Sequence, residues 1–79
     1  MIFPMVKYLA HIPLKHGEGK TIGHYLERQI QKEIRRRLSQ NKQASPKYRA
    51  SEKRVVQSAI KDVVYYYKIP SSRVKIRRI

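Results

Sequence analysis

Gly19, Lys20 and Thr21 stand between an alternating apolar segment and a helical pattern, where a phosphate-binding loop would set its last glycine, its lysine and its hydroxyl. Such a loop needs another glycine five positions before Gly19, so that the backbone can curl around a phosphate, and Leu14 occupies that position. The motif fails there, and a chain of 79 residues has no room for a nucleotide-binding sheet. A smaller role survives beside the plain reading of an ordinary helix start. Gly19, Lys20 and the first amides of the helix could hold one backbone phosphate. His11, His16 and His24 are the imidazoles of the chain; their spacing fits no zinc pattern and no cysteine supports them, so no metal is expected. The acids, Glu18, Glu27, Glu33, Glu52 and Asp62, form no catalytic pair. Glu27 and Glu33 lie among Arg and Lys at helical spacings and read as surface ion pairs. No nucleophile has its base and orienting partner, so the sequence predicts neither an enzyme nor a cofactor.

The cations carry the stronger signal. Nineteen Lys and Arg against five Asp and Glu give a formal net charge of +14. Self-repulsion of that size opposes a compact monomer, and an anionic partner relieves it. That partner is a nucleic acid, a membrane surface or an acidic protein. Membrane binding calls for a large exposed apolar helix face edged with Trp or Phe, and the chain has no Trp and one Phe. No apolar run reaches the roughly 18 residues that span a bilayer. Met1 to Val6 lacks a basic leader, and the lack of cysteine fits a reducing compartment. The expectation is a cytoplasmic protein, associated with ribosome or nucleoid or enclosed in a virion.

Three clusters refine the choice of partner. Arg35-Arg36-Arg37 closes a helical pattern, where cations favour the helix dipole. Yet consecutive residues turn through roughly 100°, so the three cannot serve one spot. Arg37 points toward the apolar side and must extend outward or find a partner. Arg28, Lys32, Arg35 and Arg36 then form a phosphate-binding patch, to which the planar Arg fork is suited. In Tyr65-Tyr66-Tyr67, Tyr67 and then Tyr66 are the candidates for the core, and an exposed ring among the three is left to stack on a base or meet a second copy. Tyr65 and Tyr66 are the stacking candidates. In Arg73-Val74-Lys75-Ile76-Arg77-Arg78, a strand would line Arg73, Lys75 and Arg77 along one face about 6.6 Å apart, close to the interval between phosphates of one strand. Charge alone would protect an edge strand from aggregation, but four cations in six residues exceed that need.

These side chains require a simple frame. Met5 to Leu14 alternates, with Tyr8, Ala10, Ile12 and Leu14 on one face and Lys7, Leu9 and His11 on the other, so it reads as a strand. From Thr21 as N-cap, Ile22, Leu26, Ile30, Ile34 and Leu38 recur every four residues and predict a helix to about Ser39, weakened at its start by Gly23. Residues 39–50 form a polar connector, within which Ser45-Pro46 or the later Ser51-Glu52 begins a second helix. That helix buries Val56, Ala59, Ile60, Val63, Val64 and Tyr67 and stops at Pro70. Residues 71–79 alternate again as a basic strand. The prediction is one α+β domain over 1–79, strand-helix-helix-strand, with both helices on one face of a small antiparallel sheet that a dimer would complete.

Tyr8-Leu9-Ala10-His11-Ile12-Pro13-Leu14-Lys15 and Pro70-Ser71-Ser72-Arg73-Val74-Lys75-Ile76-Arg77 resemble the two ends of small basic large-subunit ribosomal proteins of archaea and eukaryotes, nearest the family numbered thirty-one in that subunit. About a third of the chain takes part; the polar connector and the longer second helix depart from the family. The resemblance implies a structural role against ribosomal RNA. A competing pattern is the ribbon-helix-helix DNA-binding dimer, whose first strand would pair across a two-fold axis and put Lys7, Leu9 and His11 into the major groove. The strand-helix-helix order fits that pattern, but the basic tail is extra. Charge spread along the whole chain favours ribosomal RNA over duplex DNA. A third class is an interaction protein for an acidic partner. The expected contacts to nucleic acid are Lys20, Arg28, Lys32, Arg35, Arg36, Arg73, Lys75, Arg77 and Arg78.

Overall fold

Apolar residues at helical spacing give this chain its two long elements, and the alternating ends supply the rest. The structure is a computed structural model that describes residues 8–13 and 20–79, the side chains of Lys20 and Thr21 excepted. In order come β1 (Tyr8–His11), α1 (Lys20–Gln43), a 3-10 turn at Pro46–Tyr48, α2 (Glu52–Val64), 3-10 turns at Tyr65–Tyr67 and Ser71–Arg73, and β2 (Lys75–Arg78). The protein is a small α+β domain of strand, helix, helix and strand. β1 and β2 pair antiparallel, Tyr8 opposite Arg78 and His11 opposite Lys75, so one chain forms the two-stranded sheet by itself.

The core lies between the helices and under the ribbon. Leu26, Ile30 and Ile34 of α1 pack with Val56, Ala59, Ile60 and Val64 of α2, and Ala10, Ile12 and Val74 close the layer from the strands. Ile22 does not join the stripe, being exposed at the start of α1. Gly23 is buried on the packed face, where a side chain would hold the layers apart.

Both helix boundaries differ from the sequence reading. α1 begins at Lys20, so Thr21 lies inside it rather than capping it. It runs on to Gln43, because Ser39 to Gln43 contains neither Pro nor Gly. Its end is set by Pro46, which disfavours helix in the residue before it. Arg49 then folds back, its guanidinium donating to the carbonyls of Ala44 at 3.0 Å and Lys42 at 2.8 Å, and so satisfies the last turn. The connector is pinned as well: the Asn41 amide donates to the Ala50 carbonyl at 2.9 Å and accepts the Ala50 N–H at 3.0 Å. Of the two proposed starts of the second helix the later one is used, and the earlier opens only a separate turn. Pro46 opens the 3-10 turn, while the Ser51 hydroxyl accepts the Arg54 N–H at 3.3 Å and caps α2. Lys68 adopts the left-handed conformation, φ 56°, and turns the chain away after the tyrosines.

Candidate nucleic-acid interface

Four acids fall among the described residues, and each is engaged: Glu27, Glu52 and Asp62 join one part of the fold to another, and Glu33 holds two arginines of its own helix. Glu33 receives Arg36 and also the Nε of Arg37, the latter at 2.7 Å. These hydrogen bonds, that from Arg36 above all and then that from Arg37, hold the Glu33 carboxyl down at about 2. Arg37 continues across to α2, donating to Ser58 Oγ at 3.0 Å and Asp62 at 2.7 Å. The arginine expected on the apolar side of its helix therefore finds partners there. Glu52 accepts the phenol of Tyr8 and stands 3.5 Å from Arg78, which ties α2 to both strands. Burial, and next the hydrogen bond to Glu52, push the Tyr8 hydroxyl up to about 12.

Glu27 is no simple surface ion pair. It accepts the Ile12 N–H at 2.8 Å and lies between His11 and His24, 3.4 and 3.3 Å from their Nδ1 atoms. Beside it, Gln31 accepts the Ala10 N–H at 2.9 Å. The edge of β1 that faces away from β2 is thus covered by two α1 side chains. β2 takes one edge of β1, and Gln31 with Glu27 the other.

With the acids so engaged, a set of cations on α1 is left to solvent. Arg28, Lys32 and Arg35 are exposed on α1 and have no ion-pair partner among the described residues. At roughly 100° per residue they share one outer stripe, which Lys42 extends because the helix is longer than predicted. From Arg28 to Lys42 the stripe rises about 21 Å at 1.5 Å per residue. Arg36, expected in the same patch, is bound to Glu33 instead. Lys42 escaped the sequence reading although the run without a helix breaker already pointed to it.

The tail differs from a single row of four cations. Arg73 lies in the 3-10 turn before β2, and Arg78 is turned toward Glu52 on the helix side. Lys75 and Arg77 remain on the outer face of the ribbon, opposite His11 and Leu9. The tyrosine run also differs from expectation, for none of the three is core. Tyr65, Tyr66 and Tyr67 are 74%, 83% and 41% exposed, because α2 gives way to a 3-10 turn that rotates them off the packed face. The rings of Tyr65 and Tyr66 meet edge to face, 4.9 Å between centroids. Gly19, His16 and Lys7 lie outside the described residues, as does the side chain of Lys20. Among the described residues no helix is long and apolar enough to cross a membrane.

No protein-family model, curated protein or solved structure matches this chain.

Proposed function

We propose that this protein is a non-enzymatic nucleic-acid-binding protein, a structural RNA binder of the ribosomal kind that grips the phosphate backbone. The observation that carries the reading is the division of charge. The described acids are each engaged by neighbouring groups, while Arg28, Lys32, Arg35 and Lys42 run without an ion-pair partner among the described residues along the outside of α1. Lys75 and Arg77 add a second cationic surface on the ribbon. A stripe on a straight helix gives regularly placed positive charge, which suits a polyanion and carries no base-specific information. RNA is preferred because Tyr65 and Tyr66 expose rings on which unpaired bases stack. The likeness of both chain ends to ribosomal proteins supports the same choice.

Binding of single-stranded RNA and duplex DNA, measured across a salt series, tests this. Replacing Arg28, Lys32 and Arg35 together with Gln is expected to weaken binding to all sequences and to lower the log–log salt slope for single strands by about 2, or roughly 0.7 per phosphate. An affinity within about twofold of the unaltered protein for every nucleic acid would refute the assignment. Native protein is also expected to co-sediment with ribosomal subunits in an RNase-sensitive manner. A dimer recovered on duplex DNA would reverse the order of RNA and DNA.

A further inference from the structure

At the end of the molecule away from the tyrosine run, the last turns of α1, the connector and the first half of α2 border an open cleft of about 570 Å³. That volume falls within the range of roughly 300–1,000 Å³ typical of ligand sites. Its frame is fixed. Arg37 is held by Glu33, Ser58 and Asp62, Arg49 by two carbonyls, and Asn41 by both polar groups of Ala50. Those locked residues give the cleft cationic walls without leaving them free to collapse into it.

Onto that frame the chain sets side chains with no structural work. Tyr48 is 74% exposed and ends the 3-10 turn, in a connector that Pro46 and the Asn41 clamp hold in place. Lys47 stands 5.7 Å from the centre of the Tyr48 ring. Arg54 reaches the cleft from α2 and, beyond the backbone N–H that Ser51 caps, has no partner among the described residues. Gln40 brings an amide that can both donate and accept. An exposed ring with Lys47 over one face, and with Arg54 and an amide lining the same cleft, matches one kind of ligand: a planar base joined to phosphate.

We infer that this cleft holds one unpaired nucleotide of a single strand, its base stacked on Tyr48 and its phosphate bound by Lys47 and Arg54. The inference rests on the nucleic-acid reading above but concerns a different surface, since the α1 stripe needs no unpaired base. It makes the protein a reader of strand state, gripping backbone along α1 and sensing an extruded base at the connector. RNA and DNA strands offer the same chemistry here, and the experiment separates them.

Short single-stranded RNA, the matching DNA strand and their duplexes are titrated against the full chain and three variants. Tyr48→Ala is expected to weaken single-strand binding about tenfold, as loss of one base stack does, while duplex binding, salt slope and melting temperature stay unchanged. Tyr48→Trp is expected to retain affinity and to show its indole fluorescence quenched by either single strand and by neither duplex. Arg54→Gln is expected to lower the single-strand salt slope by about 0.7. An affinity for RNA at least about fivefold above that for the DNA strand would assign the ligand to RNA. If the unaltered protein binds single strands and Tyr48→Ala binds them within about twofold as tightly, the cleft assignment is overturned and the α1 stripe stands. If the unaltered protein binds neither strand, both readings fall together.

Discussion

Glu33 receives two arginines that leave α1 in different directions, and the two do unequal work. Arg36 is largely in solvent, where an ion pair one turn away contributes little. Arg37 is 23% exposed and carries the connection onward to Ser58 and Asp62 of α2, so its position decides how the helices meet. Because hydrogen bonds from Arg36 and Arg37 hold the Glu33 carboxyl near 2, below its ordinary 4.5, the charged form is favoured by folding. A depressed carboxyl contributes stability that is fully present above the unfolded value, here about pH 4.5, and is lost as pH falls through the folded value near 2. Glu33→Gln is therefore expected to cost about 1–2 kcal/mol at pH 7, the scale of charged hydrogen bonds partly open to water. Thermal melts would read that as a drop of about 4–8 °C per kcal/mol in a domain of this size. The gap between the variant and the unaltered protein should close between pH 4.5 and 2. A gap that stays constant down to pH 2 would mean the carboxylate charge is not what Glu33 contributes.

Elements place the next constraint, and β1 illustrates it. Amides alternate along a strand, so if the Ala10 and Ile12 N–H groups point at Gln31 and Glu27, those of Leu9 and His11 point at β2. Replacing Gln31 with Leu would leave the Ala10 N–H without an acceptor, at a cost of about 1–3 kcal/mol. Hydrogen exchange at Ala10 should then accelerate well beyond that at Leu9. Equal protection of both amides in the variant would show that the cap is dispensable. None of this capping was legible in the sequence, where Glu27 reads as an exposed partner for nearby cations. Periodicity reveals which face of a helix is apolar, and it found Leu26, Ile30, Ile34, Val56 and Ile60 correctly. It cannot reveal which strand lies against the polar flank of that face. Element order and both strands were legible for the same reason: period two and period four are local patterns. The end of α1 was not, since its stop depends on Pro46 and on Arg49 folding back from beyond the helix. The cleft at the connector was least legible of all. Gln40, Lys47, Tyr48 and Arg54 are scattered through a polar stretch, and only the Asn41 clamp and the 3-10 turn bring them to one place.

At the scale of the whole molecule, charge and core oppose one another. The described chain measures 45 × 28 × 17 Å, a slab only two layers thick, and domains of this size bury only about 60% of their unfolded surface. Against that stands a formal net charge of +14, with the acids already subtracted, and the ion pairs at Glu33, Asp62 and Glu52 supply a few local attractions. Two effects of salt then compete. Screening weakens those few attractions, and it weakens the repulsion among the many exposed cations, whose separations along α1 are comparable to the Debye length of roughly 8–10 Å near physiological ionic strength. With nineteen cations and five acids the repulsive pairs outnumber the attractive ones, so the free protein should melt higher as sodium chloride rises from about 0.01 to 0.15 M. A polyanion acts in the opposite sense with salt, because it stabilises by binding the folded state and that binding weakens as counterions accumulate. Single-stranded RNA should therefore raise the melting temperature most at low salt, and its advantage should shrink as the melting temperature of the free protein climbs. The crossing of these two trends in one melting series is the signature of a fold whose stability is completed by its ligand. A free protein that melts lower with added salt would place its stability in internal ion pairs and remove the physical reason for a polyanionic partner.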